Sequence, residues 1–133
     1  MLGTYTLSHG YYDAFYTKAQ KVKTLVIRDM QRVFKEVDLI MASPTPITAL
    51  PIGESEKYSF FGETMDLLNE AACVAGIPAI SIPCGLDSRG LPVGIQFMGN
   101  YLQEGLILDA SYQYEKETNF YNVVKKGVTN YKD

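Results

Sequence analysis

Three short apolar runs, each bounded by glycine or proline, set the limits on what this chain can fold into. They read Leu39-Ile40-Met41-Ala42-Ser43, Ala79-Ile80-Ser81-Ile82 and Pro92-Val93-Gly94-Ile95-Gln96-Phe97-Met98. Each is too brief for a stable helix and rich in residues that suit a pleated surface, so each is predicted as a strand. All three are apolar on both faces, and a strand of that kind needs helices on both sides of its sheet. The turn at residues 87–90, rich in Asp, Ser and Gly, predicts a hairpin or adjacent pairing of the last two strands. Pro44, Pro46 and Pro51 exclude regular structure between the first strand and Gly53.

The helices come from a different period. Phe15, Ala19, Val22, Val26, Met30, Val33 and Val37 recur at spacings of three and four, the stripe of an amphipathic helix over residues 11–37. Its other face carries Lys18, Lys21, Lys23, Arg28, Arg32 and Lys35, but Asp13, Asp29 and Glu36 interrupt it. That mixture suits a solvated face better than a surface for RNA or an acidic partner. A second helix is predicted over residues 62–75, stopped by Gly76 with Pro78 beyond, and a third over 103–117. Residues 1–8 read as the end of another short helix, and the tail after Asn119 as loose. The order helix–strand–helix–strand–strand–helix is α/β. Only three helices are present to cover both faces, so the segment reads as part of a larger sheet. Exposed edges then predict self-association, as an oligomer or a marginal monomer.

Composition removes several functions. At 133 residues the chain is one domain's worth by the prior of roughly 150 residues per domain. With 47% apolar residues it is too hydrophobic for intrinsic disorder. No apolar run approaches the ~20 residues that span a bilayer, and the start lacks the basic and apolar regions of a secretory signal. A net charge of −3 argues against a dedicated nucleic-acid surface. Cys73, Cys84 and His9 are too few for a structural zinc site, and both cysteines are expected reduced and buried. Ser43 and Ser81 lie outside any Gly-x-Ser-x-Gly elbow and lack a neighbouring base, and His9 lacks a nucleophile or carboxylate to work with. Gly85, Gly90, Gly94 and Gly99 match no phosphate-binding loop. The residues thus supply no catalytic group, no metal ligands and no ATP site.

Asp66 is the carboxylate that stands out. On a 62–75 helix it shares a face with Gly62, Asn69, Glu70 and Cys73, away from Leu68, Ala72 and Ala75. It is either part of a solvated helix face, where most carboxylates lie, or a group aimed at a cationic ligand. An ammonium held by a carboxylate makes a short, directional, charge-assisted hydrogen bond.

Three stretches carry a resemblance. Residues 1–25, MLGTYTLSHGYYDAFYTKAQKVKTL, resemble the A-subunit family of bacterial and organellar glutamyl-tRNA(Gln) amidotransferases. Ala75-Gly76-Ile77-Pro78-Ala79-Ile80-Ser81-Ile82-Pro83-Cys84-Gly85 and Gly90-Leu91-Pro92-Val93-Gly94-Ile95-Gln96-Phe97-Met98-Gly99 resemble the wider amidase signature superfamily. The likeness fades after about Asn119. There are departures. Ala42-Ser43-Pro44-Thr45-Pro46 stands for the usual Gly-Pro-Thr-x-Pro, the approach Phe60–Met65 lacks the usual Tyr and Asn, and Cys73 stands where Asn is common.

The resemblance implies the C-terminal part of the amidase signature fold, a mixed sheet with helices packed on its faces. It implies that the family's Ser–cis-Ser–Lys triad lies upstream, that an arginine gripping the substrate carboxylate falls just before Met1, and that Asp66 matches the aspartate holding the α-ammonium of glutamine. The chain alone is therefore expected to be inactive. In the family, ammonia from glutamine passes to the B subunit, which uses ATP and Mg2+ to convert Glu-tRNA(Gln) to Gln-tRNA(Gln), while the small C subunit clasps the amidase. Glutamine and the amidotransferase subunits B and C are the implied partners, with tRNA reached only through the complex and no membrane. The implied location is the cytoplasm or an organellar matrix. Two other readings stand beside this one: a segment of another amidase signature hydrolase, and a non-catalytic module that binds the partner subunits.

Overall fold

The computed structural model describes residues 15–58 and 61–129. His9, residues 1–8 and the first turn of the long helix lie outside them. The apolar stripe forms α1 (Thr17–Val33). It stops short of residue 37 because its last turn tightens. The amides of Lys35 and Glu36 donate to Arg32 and Val33, three residues back, at 3.2 and 2.9 Å. Next come β1 (Leu39–Ala42) and a single 3-10 turn at Ser55–Lys57. They are followed by α2 (Phe61–Asp66), α3 (Glu70–Ala75), β2 (Ala79–Leu86), β3 (Pro92–Gly99), α4 (Glu104–Thr118) and α5 (Phe120–Thr129).

β3 is the central strand, with β1 and β2 antiparallel on either side. Phe97 pairs with Met41 on one side and Ile80 on the other. The register of β2 slips between Pro83 and Gly85, a bulge that gives Cys84 no opposite residue and carries the strand on to Leu86. Both faces are covered, as the apolar runs predict. On one, Met98 packs with Ala72, Ala75 and Ile77, against Val26, Ile27 and Met30 of α1. On the other, Phe97 and Ile82 pack with Ile107 of α4, flanked by Ile95 and Tyr114. Each fully buried aliphatic side chain of this kind stabilises the fold by roughly 1.5–3 kcal/mol. A side chain on Gly99 would have its Cβ 2.8 Å from Cγ2 of Ile107, so glycine is what lets α4 come this close to β3.

Two further expectations are corrected. Residues 62–75 do not form one helix. The amide of Asn69 donates to the Asp66 carbonyl at 2.8 Å, a tight three-residue closure, and the Leu68 carbonyl is taken by a side chain from β3. A continuous helix would have used that carbonyl for Ala72. Gly76, at φ +72°, then ends α3 as predicted. The tail after Asn119 is helical rather than loose. Asn119 caps α4 in the left-handed conformation, and α5 begins at the next residue. Phe120 lies beside Tyr114, ring centroids 6.4 Å apart, and Tyr114 meets Phe97 edge-on at 5.8 Å.

Candidate functional site

Asp66 is the last residue of α2 and is exposed. Its carboxylate has no partner among the described residues. The helix break changes its neighbours. Only Gly62 remains on the same helix, while Asn69 sits in the turn and Glu70 and Cys73 belong to α3. Ala72 and Ala75 are buried against the sheet, as the pattern predicts, but Leu68, expected with them, lies in the turn and is exposed.

The turn that carries Asp66 is tied to the sheet by Gln96. This residue is 1% exposed in the middle of β3, and its Nε2 donates to the Leu68 carbonyl at 3.0 Å and to the Ser43 carbonyl at 3.1 Å. At the other end of α3, the Tyr101 hydroxyl donates to the Ala75 carbonyl. No motif in the sequence singles out Gln96. The available signal is its chemistry: one amide inside a run that is otherwise apolar on both faces.

A second polar cluster holds the Pro-rich loop. Oδ1 of Asp87 accepts the amides of Arg89 and Leu91 at 2.8 and 2.9 Å, closing the β2–β3 turn. Its Oδ2 accepts the Thr48 hydroxyl at 2.7 Å and two guanidinium nitrogens of Arg89 at 3.2 Å. Arg89 also donates to Thr48 at 2.7 Å. The Leu91 amide foremost, then the Thr48 hydroxyl, lowers the Asp87 carboxyl to about 2. These bonds are structural ties within turn and loop. Beside them lies an open apolar cavity of about 530 Å³, lined by Leu50, Pro51, Ile52, Arg89 and Leu91.

The Ser43 hydroxyl donates to the Thr45 carbonyl at 2.8 Å, a local turn bond. Both cysteines are free; contrary to expectation Cys73 is exposed and Cys84 only half-buried, and partial burial raises the Cys84 thiol. Among the described residues no cluster of three His, Cys, Asp or Glu could hold a metal ion, and no helix is long and apolar enough to cross a membrane.

The amidase family profile matches residues 1–108. The chain belongs to the amidase family. Among amidase relatives, the glutamyl-tRNA(Gln) amidotransferase A subunit from Halothermothrix orenii is 50% identical over 123 residues, covering 90% of this chain. That from Acaryochloris marina is 44% identical over 126 residues, covering 95%. The chain spans about a quarter of the length of these relatives, 25% and 26% respectively. The crystal structure of the same A subunit from Thermotoga maritima superposes with a TM-score of 0.68 at 38% identity, covering 80% of this chain and 23% of that one. A 6-aminohexanoate cyclic dimer hydrolase superposes with a TM-score of 0.67 at 23% identity, covering 85% and 25%; it shares the fold.

Proposed function

We propose that this chain is the C-terminal part of a glutamine-hydrolysing amidase subunit, one that supplies ammonia for converting Glu-tRNA(Gln) to Gln-tRNA(Gln). The observation that carries the reading is 44–50% identity to amidotransferase A subunits over nine-tenths of the chain, with coverage of 90–95%. In this reading Asp66 receives the α-ammonium of glutamine. Its exposed carboxylate at the end of α2, without a partner among the described residues, suits that role, since an ammonium meeting it need displace no described partner. The nucleophile comes from outside these residues, so the chain alone hydrolyses no glutamine. ATP with Mg2+ and the tRNA belong to the partner B subunit, and the C subunit completes the assembly, in the cytoplasm or an organellar matrix.

The test is a chimera in which this chain replaces the matching segment of the Thermotoga maritima protein, with glutamine hydrolysis as the readout. Hydrolysis should persist, and Asp66→Ala should raise KM for glutamine at least tenfold, the loss of one charge-assisted contact. An unchanged KM would count against the amino-acid-binding role and favour a hydrolase for a different amide. Serine-dependent glutamine turnover by the 133-residue chain alone would sink the division of labour.

A further inference from the structure

Gln96 is a buried amide with a specific geometric task. It sits at the middle of the central strand, paired with Ala42 on one side and Ser81 on the other. At 1% exposure it has no contact with a ligand to offer. Its Nε2 is a double donor, and it meets two backbone carbonyls from separate segments: Leu68, in the turn after α2, and Ser43, at the end of β1. Leu68 is two residues beyond Asp66, and the same turn is closed by the Asn69 amide on the Asp66 carbonyl at 2.8 Å. The Leu68 carbonyl is also the one a continuous helix would have given to Ala72. Gln96 therefore ties the turn after α2, two residues beyond Asp66, to the central strand.

We infer that Gln96 is the positioning residue for Asp66, setting where its carboxylate meets the ammonium of an amino-acid amide. The inference rests on the proposed role of Asp66. Among the described residues the turn's other hydrogen bonds run to its neighbours in α2 and α3, so without the Nε2 donor two carbonyls lose their partner and the turn is free to re-form as helix. An apolar residue of the same length, methionine, keeps the volume and removes only the donors.

Two measurements test this. In the 133-residue chain, hydrogen exchange followed by NMR should show the Asn69 amide exchanging at least tenfold faster in Gln96→Met, with the amides of β2 and β3 unchanged. Equal exchange at Asn69 in the two proteins would overturn the inference. In the Thermotoga chimera, Gln96→Met should raise KM for glutamine about tenfold and leave kcat within about threefold. Hydrolysis of 5-amino-5-oxopentanoate, which is glutamine without its α-ammonium, should not change. A merely structural lesion would impair both substrates equally, and that result also overturns the inference. Gln96→Glu serves as the second variant. Its carboxylate faces two carbonyls at neutral pH and should lose the glutamine preference, and protonation at lower pH restores one donor and part of that preference. Asp66→Ala beside them separates the two ideas. If it leaves the preference for glutamine over the des-amino amide intact, the reading of Asp66 fails. If it abolishes the preference while Gln96→Met does not, only the role of Gln96 fails.

Discussion

Asp87 shows how one side chain can hold two segments at once. Two backbone amides on Oδ1 shape the β2–β3 turn, and Thr48 and Arg89 on Oδ2 bind the Pro-rich loop to it. All of these donors favour the ionised form, so the folded carboxyl titrates near 2, below the ~3.9 of a free aspartate. A carboxyl depressed on folding stabilises the native state above its unfolded value, and that contribution is lost as pH falls through the folded value. Between about pH 4 and pH 2 the stability of the chain should therefore fall in part through this group. Urea unfolding across that range should show a shallower pH dependence for Asp87→Asn than for the unaltered chain. Identical slopes would mean that the cluster does not couple to folding. The chemistry of this turn was visible in its Asp, Ser and Gly content, but its partner Thr48 is 39 residues away and no local pattern announces it.

Among the elements, legibility followed the range of the deciding contact. α1 and the three strands were readable because their signal is periodicity within a few residues, and the covering of both sheet faces followed from strands apolar on both sides. The break after Asp66 was not readable, since it depends on an amide 28 residues beyond Leu68. α5 is the same case. Phe120, Val123 and Val124 have helical spacing, yet ten residues do not hold a helix in water without a surface to pack on. That surface is supplied by Tyr114 and by the space above Gly85, whose Cβ would come 3.9 Å from the Phe120 ring. Phe120→Ala should thus destabilise the chain by about 2 kcal/mol, below the ~3–5 of a fully buried Phe because this ring is only half-buried. The urea midpoint should drop, and exchange protection should be lost across α5 before it is lost in β3. If α5 keeps its protection, Phe120 is not its anchor. The role proposed for Asp66 rests on the family resemblance, because an exposed carboxylate on a helix has no distinguishing local pattern.

At the scale of the whole molecule, large apolar side chains of the described residues stay exposed. Val22 and Leu25 of α1 are each 58% exposed, and Met41 on β1 is 61% exposed. Among the described residues β1 and β2 are both sheet edges, each with a row of backbone donors and acceptors open to another strand. This pattern stands beside the fact that the chain spans about a quarter of the length of the amidase relatives it matches. The purified chain should accordingly self-associate. Light scattering at increasing concentration should give a mass above 14.8 kDa, and Met41→Lys, a charge on the β1 edge, should lower that mass and raise solubility. A sharp monomer at every concentration, with cooperative unfolding at a normal temperature, would show instead that the two faces already buried around β3 are enough for an independent domain.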